Sequence, residues 1–232
     1  MRPAVPAAGK PHWQRGAAPL PCGVTLHRLD LTALAIFAWT SGTAIAEPLE
    51  LPLLVLPLRV HLLQSTNQPQ VHTTLAEADV RRILGKVNGI WAQARIRFEL
   101  EKLLKEPAQP AEVPGENPKD RWLLSVVPPM TRATNAFNVY YVKKMQPNGY
   151  WSGGVAFVKD TASLKEVPGG IDEPLPRVTA HELGHALGLS HRQDRTNLMA
   201  SGTTGTALSE EEIQRARAAA GRISWVKKAS TN

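Results

Sequence analysis

The segment HELGHALGLSH, which begins at His181, contains three histidines and one glutamate at spacings suited to metal chemistry. On an α-helix His181 and His185 lie one turn apart on the same face, so their imidazoles can share one metal ion. Glu182 follows the first histidine and can accept a proton from water that the metal activates. Gly188 permits a positive φ, and a helix that ends there can turn back and bring His191 to the same ion.

Three protein ligands leave one coordination position open for water, which is typical of a catalytic rather than a structural zinc site. Taken singly, a histidine is more often structural or exposed than a ligand, and a glycine that ends a helix is usually only a cap. The complete pattern is much less expected by chance than the short motif HExxH. We therefore predict one catalytic Zn²⁺ ion bound by the three histidines, with Glu182 as the general base.

This pattern, HExxHxxGxxH, resembles the zinc signature of the metzincin metallopeptidases. In that clan a methionine lies in a tight turn beneath the metal, and Met199 of the segment NLMA matches it, although a methionine after leucine also fits ordinary core packing. Three further features are similar to the matrixin branch: the short spacing from His191 to Met199, the run HRQDRTNLMA with Asp194, and the C-terminal LSEEEIQRARAAA. The close resemblance covers Val178 to Ala220.

The resemblance implies an α/β (α+β) catalytic domain with a mixed, twisted sheet of about five strands packed on N-terminal and active-site helices. A small C-terminal subdomain ending in a helix would follow. In the family, an edge strand before the active-site helix pairs with extended substrate. Sequence order places that strand here at Gly153, Gly154, Val155 and Ala156. Ser201 stands where other metzincin branches carry a tyrosine ligand, so that fifth ligand is missing.

The pattern of apolar residues predicts the elements that must position this site. Pro57 is unfavourable inside a strand, so the first strand is predicted to begin at about Leu58. Thr74 and Glu77 form a capping box that begins an amphipathic helix. The predicted elements are strands Leu58–Leu63, Arg95–Glu101, Phe137–Val142 and Gly154–Val158, helices Thr74–Ala94 and Arg177–Leu189, a C-terminal helix with a capping box at Ser209 and Glu212, and a proline-rich loop Glu106–Asp120.

Residues 1–46 have the features of a secretory signal. Basic residues precede the apolar stretch Leu29–Ala46, which ends in small residues before Glu47. The basic region is unusually long, and an uncleaved anchor is the alternative. We expect residues 47–232 to be a secreted metallopeptidase domain, extracellular or periplasmic, with no stable membrane insertion after cleavage. Cys22 is the one cysteine and lies before the expected cut, so the mature chain would contain none.

The composition is that of a globular protein, with 43% hydrophobic and 20% charged residues in a chain of 232, which is long enough for one sizeable domain. The formal charge is +7, but no dense basic run with interleaved aromatic residues is present, which argues against nucleic-acid binding. We expect a monomer with a polypeptide substrate. The sequence offers no support for structural Ca²⁺, whose loop carbonyl ligands would leave no mark in it.

The family resemblance implies a zinc-dependent endopeptidase, with Met199 as the structural Met-turn and Gly188 as the helix-ending turn. Two alternatives stay open. One is a zinc amidohydrolase that acts on a non-protein amide, which the same site would serve. The other is a catalytically inert zinc-bearing binding module, against which the intact Glu182 argues.

Overall fold

The computed structural model describes residues 51–110 and 121–229. The predicted signal segment, residues 1–46, and residues 111–120 of the predicted loop lie outside them. In chain order the elements are β1 Leu53–Gln64, α1 Glu77–Trp91 with a 3₁₀ turn Ala92–Ala94, β2 Ile96–Pro107, α2 Arg121–Ser125, β3 Phe137–Val142, β4 Gly149–Ser152, β5 Val155–Lys159, α3 Pro174–Ala186, α4 Glu210–Gly221 and β6 Lys227–Ala229.

The strands form one mixed sheet in the order β2-β1-β3-β5-β4, with β6 paired to β1. The pairs β1–β2, β1–β3 and β3–β5 are parallel, whereas β4 runs antiparallel to β5 and forms an edge. The short β6 runs antiparallel to the first residues of β1. The predicted fold class is therefore confirmed, with six strands in place of about five.

Strand β3 shows that the sheet is covered on both faces, because all six of its residues are buried. Phe137, Val139 and Tyr141 belong to the core cluster that contains α1 and α3. Tyr140 and Val142 belong to a second cluster with residues of α2 and the adjacent chain. Alternate side chains thus enter opposite cores, as the pleat requires. A continuous apolar run is the sequence signature of such a strand.

Strand β1 begins at Leu53, so the predicted start near Leu58 is wrong. Leu56 and Pro57 pair with β2 only, because β6 pairs with β1 up to Val55 and β3 pairs with it from Leu58. Proline lacks an N–H. Where a strand has a partner on one side only, the missing donor can face the unpaired side and no ladder hydrogen bond is lost.

Helix α1 begins at Glu77, and the predicted capping box of Thr74 and Glu77 is wrong. Asp79 performs the capping, since its carboxylate accepts a hydrogen bond from the N–H of Ala76 at 2.9 Å. The N–H of Thr74 instead donates to Asp160, at the end of the sheet. A tertiary partner thus removes Thr74 from the helix start. The predicted capping box at Ser209 and Glu212, in contrast, is confirmed at α4.

Strand β2 continues to Pro107 and does not end at Glu101, so the predicted loop begins later than expected. The extension includes Glu106, which is buried and lies 2.6 Å from Nδ1 of His61 on the neighbouring strand. Nε2 of His61 lies 3.2 Å from the side-chain oxygen of Asn138. This buried polar contact explains how a charged residue is accommodated at the end of the strand.

Helix α3 packs against α1 and the β4–β5 pair, which brings its second half to the edge of the sheet. Ion pairs with α1 fix the two residues that precede α3. Arg82 bonds Glu173, and Lys86 lies 2.7 Å from Asp172. In the described part of the chain, no helix has the length and apolar character needed to cross a membrane.

Candidate metal centre

Helix α3 carries His181, Glu182 and His185, and its end determines the path to the third histidine. The helix ends at Ala186, and Gly188 follows with φ +79°. This is the positive φ that the sequence predicts for this glycine, and a side chain there would be strained. The N–H of Leu189 donates to Gly184 at 2.9 Å, which folds the chain back over the last turn.

The structure brings the three predicted zinc ligands together. One ring nitrogen from each of His181, His185 and His191 lies within 4.8 Å of the others. The ring centroids of His181 and His185 are 4.7 Å apart, and those of His181 and His191 are 5.3 Å apart. The first two side chains are wholly or partly buried, whereas His191 is exposed and closes the site from the solvent side.

Hydrogen bonds orient two of these rings for metal binding. Nδ1 of His181 donates to the carbonyl of Leu198, and Nδ1 of His185 donates to the carbonyl of Leu189, each at 2.8 Å. Nη1 of Arg177 also lies 3.3 Å from Nδ1 of His181, but the contact with the Leu198 carbonyl is shorter. Because a carbonyl can only accept, these bonds place the proton on each Nδ1 and leave each Nε2 as the nitrogen that can bind a metal. Histidines that bind zinc are oriented in this way.

The spacing of one pair of ring nitrogens also fits a zinc ion. Nε2 of His185 and Nε2 of His191 are 3.1 Å apart. Two zinc–nitrogen bonds of about 2.1 Å at a tetrahedral angle would place their nitrogens about 3.4 Å apart. The donor set of three imidazoles is one that zinc accepts, and it leaves the fourth position open.

Burial favours the neutral, metal-binding form of the imidazoles. It lowers the pKa of His181 to about 3, and the nearby Arg177 guanidinium acts in the same direction. Burial also lowers the pKa of His185. A neutral ring has a lone pair available at neutral pH, so metal binding there need not displace a proton.

Glu182 is 4% exposed and lines the same cavity as the three histidines. Burial raises the pKa of its carboxyl to about 8, against the opposing effect of the Arg177 guanidinium. A carboxylate that water solvates poorly has an increased proton affinity. It is therefore a stronger base near neutral pH than an exposed glutamate.

Arg177 is a site residue that the sequence analysis did not identify. It is 2% exposed and lies one helical turn before His181. Its Nε donates to the carbonyl of Gly205 at 3.1 Å and its Nη2 donates to the carbonyl of Ala200. Burial lowers its pKa to about 10. The sequence did contain an indication of this role. Arg177 lies four residues before His181, a spacing that places it on the metal-facing side of the helix.

Met199 lies in a turn beneath α3, in the position that the family resemblance implies. The turn closes with a hydrogen bond from the N–H of Ala200 to the carbonyl of Asn197 at 3.1 Å. Met199 is fully buried, and its sulfur would lie 2.6 Å from a β-carbon at Gly184. Gly184 thus permits the close approach of the turn to the helix segment between His181 and His185.

The strand predicted to be the substrate-binding edge is not at the edge of the sheet; its neighbour β4 is. Val155 and Ala156 pair with β3 on one side and β4 on the other, so they are interior residues. Gly153 and Gly154, with φ of 57° and 78°, form the two-residue turn between β4 and β5. The edge next to the site is β4, Gly149–Ser152. A Gly-Gly pair between aromatic and β-branched residues is a hairpin signal, and it was available in the sequence.

The metal centre and β4 line one cleft of about 670 Å³. Tyr150 and Trp151 contribute from β4, and Ser201 and Gly202 contribute from the chain beyond the Met-turn. Gly149 packs directly against the general-base candidate, since a β-carbon there would overlap Oε1 of Glu182. The cleft therefore combines a metal site, a buried carboxylate and a strand with one free edge.

Comparisons with known proteins agree with this geometry. A model of the matrixin family matches residues 133–217, which contain β3, β4, β5, α3 and the metal centre. This match confirms the resemblance to the matrixin branch. Together with the histidine triad it supports a zinc metallopeptidase. A search of the curated proteins found no match.

Among solved structures, the chain is similar to archaemetzincin from Methanopyrus kandleri, with a TM-score of 0.51 and 14% identity. The similarity covers 72% of this chain and 96% of that one, and it supports the assigned fold. A structure described as a chaperone–substrate complex has a TM-score of 0.48 and 13% identity over 73% of this chain and 34% of that chain. That similarity is too weak for a functional comparison.

Proposed function

We propose that this chain is a secreted zinc-dependent endopeptidase that uses Glu182 as its general base. The observation that carries the proposal is the convergence of three imidazoles and a buried carboxylate in one cleft beside a free strand edge. The matrixin match over residues 133–217 supports the reaction class.

The residues of the cleft have different roles in the proposed reaction. His181, His185 and His191 would hold one zinc ion, which supplies Lewis acidity for activating water and polarising the scissile carbonyl. Glu182 takes the proton from the attacking water and later delivers it to the leaving amine. Burial raises the pKa of this carboxyl and so strengthens it as a proton acceptor, and the charge of a bound zinc ion would favour its ionised form.

Strand β4 is the segment suited to hold the substrate, because its outer edge has no partner strand within the described residues. An extended peptide can add to such an edge through main-chain hydrogen bonds, which bind it with little regard to sequence. Gly149 lies against Glu182, so a peptide paired along β4 would pass the general base. This arrangement favours cleavage within a chain.

The test is hydrolysis of denatured casein and of a peptide library by the zinc-loaded protein, with and without a chelator. We expect the chelator to abolish cleavage. Glu182→Ala should retain zinc and lose turnover by a factor of about 10³ or more, because the proton transfer is then left to water. Zinc content is measured on the same sample.

A Glu182→Ala variant that cleaves at the wild-type rate would show that another group is the base. A zinc amidohydrolase that acts on non-protein amides would show no peptide cleavage by the wild type but chelator-sensitive hydrolysis of such amides. An inert zinc-binding module would show neither. Export rests on the signal-like residues 1–46, and N-terminal sequencing of the protein from the culture medium tests it.

A further inference from the structure

A second cavity, of about 560 Å³, lies beside the metal cleft. Trp151 of β4 lines both cavities, so the second one continues the cleft along the edge strand. Its walls come from the chain before β3, from the β4–β5 turn and from the chain after α4. A peptide that pairs with β4 and passes Glu182 would reach it, since Gly149 and Trp151 are two residues apart, or about 7 Å.

Three aromatic rings form the apolar part of this cavity. Phe137 contacts Trp151 and Trp225 edge to face, with ring centroids 6.3 Å and 5.2 Å apart. Phe137 is buried, whereas the two tryptophans are only half-buried. The buried ring thus holds the two indoles in place, and their remaining surface is free for a ligand.

Arg132 provides a positive charge at the same cavity. Its side chain is exposed, and its Nη2 donates to the carbonyl of Gly153 in the β4–β5 turn. A β-carbon at Gly154 would lie 2.8 Å from that Nη2, so the glycine allows the guanidinium to rest on the turn. No residue lining the cavity is acidic, and no described carboxylate forms an ion pair with Arg132. Among the described residues its other donors have no acceptor, so they are available to a ligand.

We propose that this cavity is a subsite for an acidic side chain of the substrate, two or three residues from the scissile bond. The carboxylate accepts hydrogen bonds from Arg132, and the methylene stem packs on the indoles of Trp151 and Trp225. The subsite rests on the proposed peptidase function, because it is defined by a peptide bound along β4. The subsite would give β4, whose main-chain hydrogen bonds bind any peptide sequence, a preference for substrates with an acidic side chain.

The test compares kcat/KM for peptide pairs that differ by glutamate or glutamine at one position, from the third residue before the scissile bond to the third after it. We expect the wild type to prefer glutamate about fivefold at one of the outer positions. Arg132→Gln should reduce this ratio to about one, whereas Arg132→Lys should retain most of it. The matched control is Arg97→Gln, an exposed arginine on the opposite edge strand β2, which should keep the full ratio.

Cleavage without any glutamate preference, or a preference that survives in Arg132→Gln, would overturn the subsite and leave the peptidase function standing. If no peptide is cleaved, the peptidase function fails. Binding then decides the subsite, measured by tryptophan fluorescence with the zinc-loaded Glu182→Gln protein. Tighter binding of the glutamate peptide would support an acidic subsite, and equal binding of the two peptides would exclude it.

Discussion

Gly149 illustrates how a single residue without a side chain can determine the geometry of the site. It is the first residue of β4, and a β-carbon there would overlap Oε1 of Glu182 and lie 2.6 Å from Cγ1 of Val178. The absence of a side chain therefore lets the edge strand approach the carboxylate directly. A peptide bound along β4, as proposed, would lie close to Glu182 because of this contact.

We expect Gly149→Ala to reduce turnover by about tenfold to a hundredfold while zinc content is unchanged. The added methyl group displaces Glu182 or the strand, and small misplacements of catalytic groups have effects of this size. The measurement is kcat together with zinc content. The control is Gly85→Ala in α1, where a β-carbon meets nothing within 4 Å. Wild-type turnover in Gly149→Ala would show that the close approach is not required.

Arg177, a buried side chain of helix α3, joins the helix to the loop that follows the third histidine. Arg177 donates hydrogen bonds to the carbonyls of Ala200 and Gly205, which lie on either side of the pocket-lining residues Ser201 and Gly202. This loop also carries the Met-turn, whose Leu198 carbonyl orients His181. The helix and the loop thus hold the metal site as one unit.

Replacing this arginine should therefore destabilise the domain more than an ordinary surface substitution does. We expect Arg177→Met to reduce the free energy of unfolding by about 2 to 4 kcal/mol, because two carbonyls would lose their donors. Urea denaturation measures it. Arg81→Met, at a helical arginine whose side chain is 66% exposed, is the control and should leave stability unchanged. Equal stability of the two variants would contradict the role given to Arg177.

For the molecule as a whole, zinc binding would connect parts of the chain that separate on unfolding. His181 and His185 lie on α3, whereas His191 lies beyond the helix end and the Gly188 turn. A ligand that binds only the folded protein stabilises it by about 2.7 kcal/mol at a concentration one hundred times its Kd. Metal removal should therefore be visible as a loss of global stability.

We expect zinc at that concentration to raise Tm by about 5 to 10 °C over the chelated protein. In His191→Ala the increase should be much smaller, since two ligands remain. Differential scanning calorimetry measures both. His72→Ala is the control, because this histidine bonds Ser65 in a loop remote in sequence from the triad. The same increase in His191→Ala as in the wild type would exclude His191 as a ligand.

Local patterns were sufficient for much of the molecule. The zinc motif, the positive φ at Gly188 and strand β3 all depend on residues within about ten positions of one another, and short-range periodicity or backbone sterics describe them. The α4 capping box is equally local. These features need no knowledge of the rest of the fold.

The features that were missed depend on residues far apart in the chain. Thr74 does not cap α1 because Asp160 binds its N–H, and Pro57 is tolerated because two other strands leave that part of β1 unpaired. Whether β4 or β5 forms the edge depends on pairing order. Such contacts form between segments that no local pattern relates.

The amino-acid pattern alone therefore predicts which side chains bind the metal and which one acts as base in the proposed reaction, because that chemistry depends on residue type at helical spacing. Only three-dimensional packing determined the features on which the proposed substrate binding depends: the free edge at Gly149, the burial that raises the pKa of Glu182, and the adjoining cavity at Arg132. Burial, edge position and cavity shape arise only when distant segments pack together, so they could not be read from the sequence.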